Sequence, residues 1–177
     1  DYAAGSQPTS VSAADLNGDG KTDLAVASPP DQTVGILFNQ GDGTFSPKVD
    51  VAPDGGPTSA IFADVNGDGK LDLVAAIYDA NMDNGVSVLF GDGTGAFLAP
   101  VTYPAGSAYA SAVMAADLNG DGALDLVTAN YNGDDASVLL NQGNGTFAPK
   151  VDYQVGTNPT ALAAADLSGD AHTDVVV

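Results

Sequence analysis

The sequence predicts an all-β fold of repeated four-stranded sheets. Three observations carry it: an acidic motif that occurs four times, a period near fifty residues, and a composition almost emptied of helix-favouring surface residues. The motif reads DLNGDGKTD at 15–23, DVNGDGKLD at 64–72, DLNGDGALD at 117–125 and DLSGDAHTD at 166–174. Its first aspartate falls at 15, 64, 117 and 166, so the periods are 49, 53 and 49. That is the size of one propeller blade. All 23 acidic residues are Asp, Glu and Arg are absent, and glycine supplies 22 of the 177 residues.

The same composition bounds function. A net charge of -19 repels phosphate backbones and anionic lipid, which argues against nucleic-acid and membrane-surface partners and points to cations. Without cysteine there is no disulfide framework and no thiolate site. No apolar run is long enough to cross a bilayer, and 44% hydrophobic content is enough for a core.

Each repeat holds four strand-like runs. The first is small and apolar: VSAAD (11–15), AIFAD (60–64), VMAAD (113–117), LAAAD (162–166); its alanines suit an innermost strand crowded at the axis. The second leaves the acidic loop as DLAVAS, DLVAAIY, DLVTAN or DVVV. The third, TVGILFN, GVSVLFG or ASVLLN, is apolar enough to be buried on both faces. The fourth follows a glycine-rich hairpin turn (GDGTF, GDGTGAF, GNGTF) whose Phe is assigned to the core, and its early proline marks an edge strand. The four extra residues of the middle repeat are placed with one in 78–84, two in GDGTGAF and one before Asp117.

DYAAG at 1–5 aligns with DYQVG at 152–156, which makes residues 1–8 the outer strand of a preceding blade. Blades then span 9–57, 58–110 and 111–159, with the first half of a further blade at 160–177. Three complete blades plus parts of two more do not close a ring, so the remaining blades or a second copy of the chain are expected as partners.

The acidic loops point to calcium. Alternate residues of a tight loop can aim oxygens at one point, and calcium takes six to eight of them. Loop one offers Asp15, Asn17, Asp19, the carbonyl of Lys21, and Asp23; loop two Asp64, Asn66, Asp68, Lys70 and Asp72; loop three Asp117, Asn119, Asp121, Ala123 and Asp125; loop four Asp166, Ser168, Asp170, His172 and Asp174. The twelfth position holds Val26, Ala75, Thr128 or Val177 in place of the EF-hand Glu, so Asp at position nine is expected to close the site. Magnesium wants stricter geometry, and transition metals want His or Cys. A plain Asx turn joining two strands would explain one such loop but not four with fixed carboxylate spacing.

Repeats of this form, D-x-N-G-D-G-x-x-D between two strands with G-D-G-x-F after the third, resemble the FG-GAP or VCBS repeats of integrin α-subunit-like β-propellers over the whole chain. The resemblance implies a ring of commonly seven blades, with calcium in the loop between the first and second strands. Loop four departs from it: Ser168 replaces Asn, and Ala171 replaces a glycine that must take a left-handed conformation, at about 1 kcal/mol. Up to four calcium ions are expected, the fourth held weakest.

Structural calcium is favoured over catalytic calcium. There is one His, no Cys and no Arg, and His172 sits where the loop supplies a backbone carbonyl, so its side chain is expected to be exposed. The variable loops between second and third strands carry Tyr78 and Tyr131, which could stack a sugar ring, although polar loop tips are commonly just that. The expectation is a non-catalytic, calcium-stiffened adhesion or binding module for a protein or glycan, placed outside the cell by the resemblance. Its rivals are an accessory propeller of a secreted carbohydrate-active enzyme and a structural spacer.

Overall fold

The computed structural model describes residues 2–78, 84–105 and 109–177. Fourteen strands alternate with turns, and one short 3-10 turn, Pro29–Asp31, is the helical element among the described residues. No described helix is long and apolar enough to cross a membrane.

The strands make three four-stranded antiparallel sheets and one pair, each in simple up-and-down order. The first blade is β1 (Ser10–Ala14), β2 (Asp23–Ser28), β3 (Thr33–Leu37) and β4 (Val49–Val51). The second is β5 (Gly56–Ala63), β6 (Asp72–Tyr78), β7 (Gly85–Leu89) and β8 (Val101–Pro104). The third is β9 (Ala110–Ala116), β10 (Asp125–Asn130), β11 (Asp135–Leu139) and β12 (Val151–Gln154), and β13 (Ala163–Ala165) pairs with β14 (Asp174–Val176). Inner strands of successive blades pack on one another, β1 on β5 and β5 on β9.

Burial peaks in the two middle strands of each four-stranded sheet, with the inner strand partly buried and the outer one exposed. β6 and β7 are buried almost throughout, because alternate side chains of a middle strand face opposite neighbouring blades. Leu73, Ala75 and Ile77 meet Ala25, Ala27, Val34 and Ile36 of the first blade. Val74 and Ala76 meet Val113, Leu126, Leu139 and Phe147 of the third. The core is therefore two seams between sheets, and the exposed residues of β4, β8 and β12 lie outside it.

Two hairpin details differ from the sequence reading. The bridges Asn39↔Phe45, Gly91↔Phe97 and Asn141↔Phe147 close turns of equal length, so GDGTGAF holds no insertion. Glycines at every second position let the turn align two residues out of register; the extra residues fall instead between β6 and β7, where 79–83 lie outside the described residues. The turn phenylalanines also differ in depth: Phe147 is buried in the seam, while Phe97 and Phe45 are half-buried.

Residues 2–9 form no strand, and Asp1 lies outside the described residues. Even so, Tyr2 packs edge-on against Phe45, with centroids 5.6 Å apart at 82°. Tyr103 of the outer strand β8 meets Phe147 of the next blade in the same way, at 5.1 Å and 79°. Tyr2 thus occupies toward the first blade the place that an outer-strand tyrosine of a preceding blade would take.

Candidate functional site

The two ends of the blades carry different chemistry. At one end the acidic loops join β1 to β2, β5 to β6, β9 to β10 and β13 to β14. Each is held in its curl by its own backbone. Asp15 accepts the N–H groups of Asp19 (3.1 Å) and Gly20 (2.8 Å), Asn17 accepts Asp19 N–H at 3.0 Å, and Asp19 accepts Lys21 N–H at 2.9 Å. Asp64, Asn66 and Asp68 repeat the pattern, as do Asp117, Asn119 and Asp121. Glycines at φ near +72 to +88° (Gly18, Gly20, Gly67, Gly69, Gly120, Gly122) make the curl possible. The Gly122 N–H is the main reason that the Asp117 carboxyl lies below the ordinary carboxylate value.

The first three ligand positions of loops one to three are thus gathered by backbone N–H groups, and the ninth accepts N–H groups that reach beyond the loop. Asp23 is fully buried and accepts Leu16 N–H at 3.1 Å and Asn39 N–H at 2.8 Å. Asp72 does the same with Val65 and Gly91, and Asp125 with Leu118 and Asn141. Burial raises the Asp72 carboxyl above its ordinary value. The position-nine aspartate therefore ties the acidic loop to the far end of the third strand. Among the described residues no three Asp or His side chains are gathered into a metal cage. The donors nevertheless fit a hard cation, being carboxylate, amide and backbone oxygens. Lys21 and Lys70 turn their side chains to Asp19 and Asp68, leaving their carbonyls to the loop.

Loop four keeps the same turn without its third strand. Asp166 accepts Gly169 and Ala171 N–H, Asp174 accepts Leu167 and Ser168 N–H, and His172 is exposed. Ala171 sits at φ +68°, the left-handed conformation that glycine takes in the other loops.

At the opposite end, the β2–β3-type loops and the links between blades surround a cavity of about 470 Å³. It is lined by Thr9, Thr58, Tyr109, Ser111, Tyr131, Asn132 and Thr160. Three tyrosines make a row: Tyr78 to Tyr109 is 5.5 Å between centroids, and Tyr109 to Tyr131 is 6.2 Å. Tyr78 and Tyr131, singled out in the sequence, are 43% and 38% exposed. Tyr109 joins them from the link before β9, held by Tyr131 N–H donating to its carbonyl at 3.0 Å.

Four hydroxyl residues of the lining come from a regular position, Thr58 and Ser111 on the floor and exposed Thr9 and Thr160 at the margins. Thr9, Thr58, Ser111 and Thr160 each stand six residues before the first loop aspartate of their repeat, a hydroxyl periodicity outside the acidic motif itself. Thr58 and Ser111 are the extra residues of β-bulges in β5 and β9, which turn their hydroxyls toward the next blade. Thr58 Oγ1 contacts the carbonyls of Ala76 (3.1 Å) and Ala110 (2.5 Å), and Ser111 Oγ those of Ala129 (3.0 Å) and Pro159 (2.7 Å).

Comparison with known proteins fits this architecture. The structure resembles a lectin from Agrocybe aegerita described as specifically recognising non-reducing terminal N-acetylglucosamine: 28% identity, TM-score 0.64, covering 92% of this chain and 44% of that one. It also resembles part of the Photorhabdus luminescens Tc holotoxin pore: 27% identity, TM-score 0.55, covering 93% of this chain and 8% of that one. The chain therefore spans less than half of either protein. No curated protein matches it. The family model for the FG-GAP-like repeat matches residues 15–75, 64–128 and 117–177, and with three matches running through all four acidic loops the chain belongs to the FG-GAP-like repeat proteins.

Proposed function

We propose that this chain is a non-catalytic, calcium-stiffened propeller module that binds glycan outside the cell through its tyrosine row. One observation carries the reading: Tyr78, Tyr109 and Tyr131 line up beside a hydroxyl-floored cavity of a size suited to a sugar ring. The likeness to a lectin supports it, and the single His is exposed in the fourth acidic loop, at the opposite end of the blades from the tyrosine row. Calcium would be held by Asp15, Asn17, Asp19 and the Lys21 carbonyl, and by their counterparts in the other loops. Its charge would offset the repulsion among aspartates, and millimolar extracellular calcium would keep the sites filled. Because the acidic loops lie at the opposite ends of the strands, calcium would stiffen the sheets without touching the sugar. The likeness to a small part of a holotoxin favours a second reading, in which the propeller spaces other domains of a large assembly.

Titration with N-acetylglucosamine-terminated oligosaccharide tests the binding reading. Saturable binding, weakened at least tenfold by Tyr131→Ala at unchanged melting temperature, is expected; no binding to any glycan on an array would leave the spacer. A chelator should lower the melting temperature by several degrees and magnesium should restore it poorly. An unchanged melt would remove calcium from the account.

A further inference from the structure

We infer that the tyrosine cleft selects an uncharged sugar terminus whose hydroxyls enter as hydrogen-bond donors, and that it rejects carboxylated sugars. The inference rests on the glycan reading above and goes on to name the ligand class.

The floor decides the polarity. A hydroxyl has one proton and two lone pairs. Thr58 is 4% exposed and gives its proton to the Ala76 or Ala110 carbonyl; Ser111 gives its proton to the Ala129 or Pro159 carbonyl. Both oxygens therefore present only lone pairs to the cavity. Thr9, at the margin, also points its hydroxyl at a carbonyl, that of Ala27, at 3.5 Å. Donors remain at the rim, on the Asn132 amide, the exposed Thr160 hydroxyl and the phenol hydroxyls of Tyr109 and Tyr131, so it is the two inner hydroxyls that set the polarity of the floor. A group reaching the floor must bring its own proton, which a sugar hydroxyl does and a carboxylate does not.

Charge points the same way. Lys21, Lys48, Lys70 and Lys150 are each paired with an aspartate two residues away, namely Asp19, Asp50, Asp68 and Asp152, and none of them lines the cleft. The chain has no arginine, and at -19 its field opposes any anion approaching the cleft. The tyrosines meanwhile stand at 52° and 76° to one another, so a pyranose would set its C–H face on a single exposed ring such as Tyr131.

The test uses the whole chain in calorimetric titration with neutral, carboxylated and deoxyfluoro sugars of one ring size. A neutral pyranose that binds should lose at least fivefold in affinity when the hydroxyl contacting the floor is replaced by fluorine, which accepts but does not donate. The matching uronic acid should bind at least tenfold more weakly, with the gap narrowing as salt is raised. Equal binding of the uronic acid, or no deoxyfluoro position that weakens binding, would overturn the inference while leaving glycan binding intact. Binding that Tyr131→Ala does not change would instead overturn the site itself.

Discussion

Replacing Asp72 with asparagine separates two roles that one carboxylate could hold, metal ligand and backbone staple. The side chain is fully buried and accepts Val65 N–H at 3.0 Å and Gly91 N–H at 2.9 Å. Asparagine keeps the shape but brings one acceptor oxygen, so its amide nitrogen must face the second N–H. A buried donor left without a partner costs about 1–3 kcal/mol. Working against that loss, burial already disfavours the charge and raises the Asp72 carboxyl, so a neutral side chain sheds part of a desolvation cost. The lower part of the range, about 1–2 kcal/mol, is therefore expected, or about 2–8 °C in melting temperature for a domain of this size. Thermal unfolding followed by circular dichroism, once with excess calcium and once with chelator, is the assay. A staple gives the same loss in both conditions. A loss present with calcium and absent under chelator would refute the staple and return Asp72 to the metal.

Three other perturbations have defined outcomes. Ala171→Gly removes the cost of a left-handed alanine at φ +68° and should stabilise the fourth loop by about 1 kcal/mol and tighten calcium there, leaving the other loops unmoved; a variant matching the parent in calorimetric titration would show the loop unstrained. Gly43→Ala and Gly95→Ala meet the same φ of +88°, but a Cβ at Gly43 has nothing within 4 Å whereas one at Gly95 lies 2.5 Å from the Phe38 ring; Gly95→Ala should therefore cost at least about 1 kcal/mol more, and equal denaturation midpoints would show that Phe38 yields freely. Asp31 lies below its usual 3.8, held first by Ser6 N–H and then by the Ser28 hydroxyl. A lowered carboxyl adds stability above its unfolded value and loses it as pH falls through the folded one, so the protection factor of the Ser6 amide, corrected for intrinsic exchange, should fall as pH drops below 3.8 and should be low at neutral pH in Asp31→Ala. A Ser6 protection factor unchanged in Asp31→Ala would refute that tie.

The blades were legible because their signals are local. Alanine-rich, doubly apolar and proline-bearing runs each match a depth in the sheet, and β1 to β4 appear in the order those runs predict. Asp23 was only half legible: spacing placed it beside Asp15 and Asp19, but the direction of its carboxylate is set by Leu16 N–H and by Asn39 N–H sixteen residues away. Tyr109 gave no signal at all. It joins Tyr78 and Tyr131 through the packing of separate blades, with a backbone φ of +25° that nothing in its neighbours forecasts. Thr58 and Ser111 did leave a trace, a hydroxyl at a constant offset from each acidic loop, which is faint because Thr and Ser are common strand residues.

The hydroxyl contact between blades also makes the repeat interchangeable. Thr58 reaches the carbonyl of Ala110, the residue just before Ser111, and Ser111 reaches that of Pro159, just before Thr160. A stretch running from one such hydroxyl to the residue before the next therefore carries a plug at its start, while the socket for it lies at its own far end. Copying that stretch in tandem reproduces a fitting joint at every junction without any compensating change. Thr9 of the first repeat reaches the Ala27 carbonyl of its own blade, so it is the second and third repeats that a duplication or deletion in the gene would add or remove with their joints intact.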